Sequence, residues 1–289
     1  MEPVMTSEGQ FLNALAKIFA STDPSLTVGI GDDAAVVTQP QAHMTLSSDM
    51  AVEGTHFNRA WSSLYEIGGK VAVANLADVY AMGARARYLL VAAAIPETMT
   101  VDEISELARG IRDEADKVGA IVVGGDLTRS PLLTISISVT GEVDSPYLRS
   151  GARVGDIVAV SKLPGASSRG LDDLRAGRVS DDVKAHCYPT VDYAKVEALD
   201  RSTVHSLTDV SDGLIAELEA IATASRVGID LTSSFLPNDR HVLHGGEDHV
   251  FVGTFAKLPV GWIEIGKVTA GSGVRFDGSE ISHEGFTHF

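Results

Sequence analysis

Six aspartates stand in short glycine- or serine-flanked clusters spread over most of the chain, and no lysine-bearing phosphate loop accompanies them. They are Asp33 in GIGDDAA (Gly29–Ala35), Asp49 in SSDM (Ser47–Met50), Asp78 in NLAD (Asn75–Asp78), Asp126 in GGDLTRS (Gly124–Ser130), and Asp209 and Asp212 in DVSDG (Asp209–Gly213). Hard oxygen ligands of this kind suit magnesium, which takes a few carboxylates together with substrate phosphates and water. The fold must therefore bring distant segments to a metal-loaded nucleotide site.

A formal net charge of −16 argues against a nucleic-acid surface, which needs clustered lysine and arginine. Carboxylates lining a cleft would repel a polyphosphate unless divalent cations neutralised them, so the acidity and a phosphate substrate are compatible only through metal. The 289 residues suffice for two domains, and 44% hydrophobic with 21% charged residues is a globular composition. Cys187 is the single cysteine, which rules out an intrachain disulfide and a thiolate zinc site. The first ten residues are polar and acidic, unlike a signal peptide, and the apolar run Leu89–Ile95 is too short to span a bilayer. We expect a cytoplasmic, soluble protein with neither nucleic acid nor membrane as partner.

Apolar periodicity predicts helices over Phe11–Ala20, Leu64–Met82, Val101–Val118, Gly170–Ala176 and Leu214–Ser225. Asn75 and Asp78 share a face of the second of these. Strands are expected at Met44–Ser48, ending at the Ser47-Ser48-Asp49 cluster, at Arg87–Ile95, at Ala120–Val123, running into Gly124-Gly125-Asp126, and at Leu132–Val143. Further strands are expected at Ile157–Ser161, His249–Thr254, Trp262–Lys267 and Val274–Phe276. The Gly-, Ser- and Pro-rich stretch Asp144–Asp156 marks a domain boundary, giving domains 1–143 and 144–289. Closely spaced strand pairs among the helices favour an α+β, mixed α/β class with mixed sheets flanked by helices over a doubly wound parallel sheet.

Each cluster also has a plainer reading. GIGDD is the chemistry of a turn, and Asp209 or Ser211 could cap a helix. Lys70, in Gly68-Gly69-Lys70-Val71, lacks the following Ser or Thr of a phosphate loop, and its helical setting predicts a surface or dimer-edge residue. What turns and caps do not explain is one chemical pattern recurring at several expected strand ends. Phosphates must then be held by metal and by backbone amides in glycine turns.

These residues resemble the thiamine-monophosphate kinase family, within the superfamily of aminoimidazole ribonucleotide synthetase. The matching blocks are Gly29–Ala35, Ser47–Phe57, Asn75–Ala84, Gly124–Ser130, Arg149–Ala152, Asp209–Leu214 and Gly245–Asp248, in family order over nearly the whole chain. GIGDD with EGTHF (Glu53–Phe57) and GGED is specific to the kinase branch. The resemblance implies a two-domain fold of the synthetase type and a homodimer formed through the N-terminal domains, with ATP near that interface. It implies that Asp33, Ser47, Ser48, Asp49, Asp78, Asp126 and Asp209 hold Mg2+ ions and that Asp212 binds a further one. Gly125, Asp126, Arg149 and Ser211 would contact ATP, while His56, Glu247 and Phe286 would face thiamine monophosphate. Two segments depart from the family pattern: His249-Val250-Phe251 follows GGED in place of a Tyr-Glu pair, and Ser233–His244 is short.

The implied reaction is transfer of the γ-phosphoryl group of ATP to thiamine monophosphate, giving thiamine diphosphate. It needs no catalytic side chain that makes a covalent intermediate, and Cys187 is expected to play no part. Other ATP-using enzymes of the superfamily, or a regulatory module that binds nucleotide and metal without turnover, are the alternatives. Selenophosphate synthetase would need a reactive Cys near the N-terminus, and the hydrogenase maturation factor a terminal one; this sequence has neither.

Overall fold

A computed structural model describes residues 14–28, 36–37 and 43–284. The chain divides into two compact units, one comprising Met1–Val79 and Ala84–Asp144, the other Tyr80–Gly83 and Ser145–Phe289. Among the described residues no helix is long and apolar enough to cross a membrane.

In the first unit, residues 14–18 are helical, and β1 (Leu26–Val28) pairs antiparallel with β2 (Val36–Val37). The main sheet has four strands, β3 (His43–Val52), β4 (Arg85–Ile95), β5 (Ile121–Arg129) and β6 (Thr134–Val143), in the order β3-β6-β4-β5. Only β4 and β5 run parallel, so the sheet is mixed. The alternation in β6 sets its two faces: Ile135, Ile137 and Val139 are buried, whereas Thr134, Ser136 and Ser138 are not. All but the last two residues of helix α1 (Leu64–Ala81), and the whole of α2 (Val101–Asp116), belong to the same unit. On the buried face Val79 of α1 abuts Gly141 of β6. A capping box of Thr100 and Glu103 starts α2.

The opposite face carries Met44, Leu46, Met50 and Leu90, of which Leu46 is 73% exposed in the single chain. These four share a face because Leu46, Met50 and Leu90 pair in register with Thr140, Ser136 and Ser138 of β6, and Met44 with Glu142.

Two strands run further than the sequence predicts. β3 continues through Ser47-Ser48-Asp49 to Val52, because each of its residues finds a partner on β6 from His43↔Val143 to Val52↔Thr134. β5 likewise passes through Gly124-Gly125-Asp126 to Arg129, alongside β4. Both aspartate clusters therefore lie within strands and not at strand ends. Lys70 is also corrected: it is only 7% exposed, because α1 is enclosed on nearly all sides, with Ile67, Val71, Val73, Leu76 and Ala77 buried around it.

The second unit contains a seven-stranded sheet of order β13-β12-β9-β11-β7-β10-β8. Its strands are β7 (Ile157–Val160), β8 (Val204–Asp209), β9 (Gly228–Leu231), β10 (Phe251–Phe255), β11 (Ile263–Thr269), β12 (Gly273–Phe276) and β13 (Ser279–Ile281). All its pairings are antiparallel except β12 with β9. The helices are α3 (Ala166–Arg175), α4 (Asp181–Cys187), α5 (Tyr193–Glu197), α6 (Leu214–Ser225) and α7 (Arg240–His244). Leu214, Leu218 and Ile221 of α6 join Val252, Ile265 and Val268 of the sheet in one fully buried cluster. Cys187 is buried at the end of α4.

Two glycines let α1 and α2 meet backbone to backbone. A Cβ at Gly68 would lie 2.1 Å from the Leu107 carbonyl oxygen, and one at Gly110 would lie 2.0 Å from that of Tyr65. Alanine at position 110 gains about 1 kcal/mol of helix propensity but forces the helices apart, at about 1–3 kcal/mol for overpacking. We expect Gly110→Ala to lower the urea midpoint; an unchanged or raised midpoint would refute the backbone contact.

Candidate functional site

In the first unit the site starts from strand parity. Ser47 and Asp49 are two apart on β3 and so face the same side, opposite Val139 and Ile137 of β6. The Ser47 hydroxyl donates to Asp78 Oδ2 at 2.7 Å, and the Asp49 amide donates to Asn75 Oδ1 at 3.0 Å. Asn75 is fully buried, and its Nδ2 donates to the Val71 carbonyl at 2.9 Å, which fixes which way its amide points. Ser47, Asp49 and Asp78 are thereby gathered between a strand and a helix.

Ser48 is directed to the other face, where its hydroxyl meets that of Ser138 at 2.9 Å. Asp126 belongs by register to that same face, since it pairs with Ala92 and Ala92 with Ser136. The structure thus joins Ser47 to Asp78 directly and the Asp49 backbone to the same helix through Asn75, and sets Ser48 and Asp126 on the opposite side of the sheet. Gly125 is demanded by the fold itself: a Cβ there would lie 1.8 Å from the Val91 carbonyl oxygen. Beside it opens a pocket whose walls include Leu15, Phe19, Val91, Ile104, Leu107 and Leu127, with Gly125 and Asp126 also lining it. Arg129 pairs with Glu97 at 3.4 Å on the surface. His56 Nδ1 accepts from the Val52 amide at 3.1 Å, an anchor for its own loop that leaves the proton of the neutral ring on Nε2.

In the second unit the DVSDG and GGED segments are joined by their backbones. The Glu247 amide donates to the Ser211 carbonyl at 2.7 Å, the His249 amide to the Val210 carbonyl at 2.9 Å, and the Val210 amide to the Val250 carbonyl at 2.7 Å. Gly246 has no room for a side chain, because a Cβ would lie 2.4 Å from the Ser211 carbonyl oxygen. Following this track forces Glu247 and His249 into positive φ, 63° and 50°, a conformation that costs non-glycine residues on the order of 1 kcal/mol or more. Asp209 is buried, and His249 Nδ1 lies 3.1 Å from its Oδ2. The helix-cap reading of Asp209 and Ser211 is not realised, since Gly213 is the N-cap of α6 and no side chain caps it.

Asp248 instead secures the start of α3, accepting from the amides of Gly165 at 2.7 Å and Ser167 at 3.0 Å. Its burial pushes the carboxyl above its ordinary range, against the pull of those amides. Glu247 Oε2 is 3.6 Å from Nδ1 of the buried His186, which in turn meets the Ser167 hydroxyl at 3.0 Å.

Sequence reasoning missed Glu217. It sits on α6 with only 6% of its side chain exposed, and Arg149 Nη2 reaches its Oε2 at 3.2 Å. Burial, and then the charge of Asp209, raise its carboxyl to about 7, although Arg149 pulls it down. The available signal was its placement three residues after Leu214 and four before Ile221, both buried, on the inward side of that helix. Asp33 and Phe286 lie outside the described residues.

Among the described residues no three His, Cys, Asp or Glu side chains form a ready-made metal cage. The oxygen donors of Ser47, Asp49 and Asp78 fit magnesium shared with substrate phosphates, because that ion draws only one or two carboxylates from the protein.

The pKa of Glu217 has a consequence for stability. With its folded value near 7 and its ordinary value 4.5, the folded state keeps a proton that the unfolded chain has lost between those limits. Stability of the metal-free protein should therefore fall as pH rises through about 4.5 to 7, by on the order of 3 kcal/mol, and level off above. Urea midpoints at pH 5.5 and 7.5 should differ less in Glu217→Gln than in the parent; equal differences would refute the assignment.

Residues 31–143 match the family model for the AIR synthase related protein, N-terminal domain. Thiamine-monophosphate kinase of Mycobacterium tuberculosis is 34% identical, covering 96% of this chain and 90% of that protein. The Aquifex aeolicus enzyme of that name is 30% identical, covering 90% and 92%. Among solved structures, thiamine-monophosphate kinase from Stenotrophomonas maltophilia K279a superposes with a TM-score of 0.84 at 27% identity, covering 95% and 98% of the two chains. AaThiL complexed with AMPPCP and TMP gives 0.81 at 28%, covering 98% and 97%. The chain belongs to the thiamine-monophosphate kinase family.

Proposed function

We propose that this protein phosphorylates thiamine monophosphate to thiamine diphosphate at the expense of ATP. One observation carries the reading: a hydroxyl and carboxylate cluster, Ser47, Asp49 and Asp78, locked to a buried asparagine, in a chain of the family to which thiamine-monophosphate kinases belong. In the transfer, the bond from the γ-phosphorus to the bridging oxygen of ADP breaks as a bond to an oxygen of the acceptor phosphate forms in line. That oxygen is already ionised near neutral pH, a phosphate monoester losing its second proton near 6. No general base is needed, because that oxygen has no proton to lose before it attacks.

In the first unit, Ser47, Asp49 and Asp78 on one face of the sheet and Ser48 and Asp126 on the other, with Asp33, would hold Mg2+; in the second, Asp209 and Asp212. Bound magnesium supplies charge neutralisation for two anions that must approach each other. The protein's own part is to hold the ligands in place: Ser47 fixes one oxygen of Asp78, and Asn75 fixes the β3 backbone at Asp49. The apolar pocket beside Gly125 suits a purine base, and Arg149 and Ser211 suit phosphate or ribose oxygens. His56, Glu247 and Phe286 are the residues we assign to thiamine monophosphate. Glu247, held against the Ser211 backbone, offers a carboxylate for the cationic or amino part of that substrate. We place the reaction in the cytoplasm, where ATP is available, and take 1–143 as the ATP, metal and dimerisation domain and 144–289 as the substrate-side domain.

Met44, Leu46, Met50 and Leu90 support a homodimer through the first unit, since four large apolar side chains gathered on one exposed sheet face are rarely left to solvent. Leu46→Glu should convert the dimer to monomer in sedimentation velocity; a variant that sediments as the parent does would remove this face from the interface.

Coupled assays of ADP release should give turnover with thiamine monophosphate and none with thiamine, whose hydroxyl would need a base within hydrogen-bond reach. Asp49→Asn and Asp126→Asn should each fold normally and lose more than about 100-fold in turnover, since even outer-shell partners of metal ligands carry about 10–100-fold. Comparable turnover of thiamine, or near-normal activity of either variant at moderate magnesium, would overturn the reading.

A further inference from the structure

We propose that Glu217 is a positioning residue for the nucleotide, holding Arg149 and Ser211 through a buried hydrogen-bond network; this rests on the assignment of those two residues to ATP. Arg149 leaves a loop and more than half of its side chain is exposed, at 53%, whereas Glu217 is 6% exposed. An exposed arginine samples many rotamers, and only a fixed partner gives it one direction. Glu217 supplies that partner with both oxygens committed. Its Oε2 accepts from Arg149 Nη2 at 3.2 Å and from the Thr208 hydroxyl at 3.4 Å, and its Oε1 accepts from the Ser211 hydroxyl at 3.3 Å. The Thr208 hydroxyl also receives Nε and Nη2 of Arg149, both at 3.2 Å, so the guanidinium is held along one edge.

The network ties three separate segments together. Thr208 is on β8, Ser211 is in the turn after it, and Glu217 is on α6 beyond. Arg149 is itself pinned at its backbone, its carbonyl accepting from the Ser225 hydroxyl at 2.9 Å at the far end of α6. The same helix thus fixes the main chain of Arg149 at one end and its side chain at the other.

A carboxylate buried among Asp209, Asp212 and apolar groups is a poor choice for stability. A merely structural residue at this position would be expected to stabilise the fold, and its neutral isostere to weaken it. A positioning residue behaves in the opposite way, because function is retained at the cost of stability.

The test is a double-mutant cycle on the full-length enzyme, with KM for ATP, KM for thiamine monophosphate, kcat and Tm measured at pH 8. Glu217→Gln should raise KM for ATP about 10-fold, within the effect of misplacing a binding group by about 1 Å. Its KM for thiamine monophosphate should stay within about two-fold, and Tm should be unchanged or higher. Thr208→Val, which removes only the hydroxyl between Arg149 and Glu217, should raise KM for ATP in the same sense. In an Arg149→Ala background, Glu217→Gln should add only the share carried through Ser211, well short of the product of the single effects. The proposal is overturned if Glu217→Gln folds and leaves KM for ATP unchanged, or if the two substitutions multiply in full. Should Glu217→Gln not fold, an unchanged KM for ATP in Thr208→Val overturns it as well. An Arg149→Ala enzyme with a parental KM for ATP would instead refute the assignment of Arg149 to the nucleotide, and the proposal with it.

Discussion

Carboxylates gathered to receive a cation repel one another until it arrives, so the fold must hold them with neutral donors. Ser47 donates to Asp78 across the gap between β3 and α1. Thr208 and Ser211 donate to Glu217, with one guanidinium alongside. Asp248 takes two backbone amides at the start of α3. In each case hydrogen bonds fix the direction of the acid, and Glu217 has the Arg149 guanidinium as a counter-ion besides. Burial raises the carboxyls of Glu217 and Asp248, which is the cost of holding them inside the fold.

The longer helices and strands were legible in the sequence because apolar periodicity records burial, and β6 with its Ile-Ser-Ile-Ser-Val alternation is the clearest instance. The short elements β8, β9, α4, α5 and α7 were not expected. Strand ends were not legible either. Serine and glycine read as turn residues, yet Ser47-Ser48-Asp49 and Gly124-Gly125-Asp126 continue as strand because partners on β6 and β4 satisfy their backbones. Parity followed from that extension and split the cluster: Ser47 and Asp49 share a face that Ser48 does not. The contribution of Asn75 could be anticipated from its spacing to Asp78, whereas that of Glu217 could not, since its partners come from a loop and a strand. Lys70 failed for a related reason. A charged residue suggests a surface, but only tertiary packing says how much of α1 is enclosed.

Several glycines in the sequence blocks are steric requirements of the scaffold before they are anything to a ligand. Gly125 yields to the Val91 carbonyl and Gly246 to that of Ser211, each at a distance no Cβ could occupy. The motif residues and the packing residues are therefore the same residues. A change at Gly125 would move β5 relative to β4 and carry Asp126 with it, so loss of activity there could not by itself identify a ligand contact.

His249 directly follows the GGED segment, and the structure gives it a physical role. Glu247, His249 and Val250 hydrogen-bond by their backbones to Val210 and Ser211 of the DVSDG segment, and this holds Glu247 and His249 in left-handed backbone. Such strain persists only where the surroundings over-determine it. Here the surroundings are three backbone hydrogen bonds and the bond from the His249 ring to Asp209. A tyrosine at this position could donate to a carboxylate only through its phenolic oxygen, several bonds farther out, whereas Nδ1 sits close to the main chain. The histidine thus grips the aspartate near its own backbone and draws the two segments together. His249 lies beside Glu247, on the side we assign to the acceptor, yet its contact is with an aspartate we assign to metal. It couples the geometry of the two assignments through one imidazole.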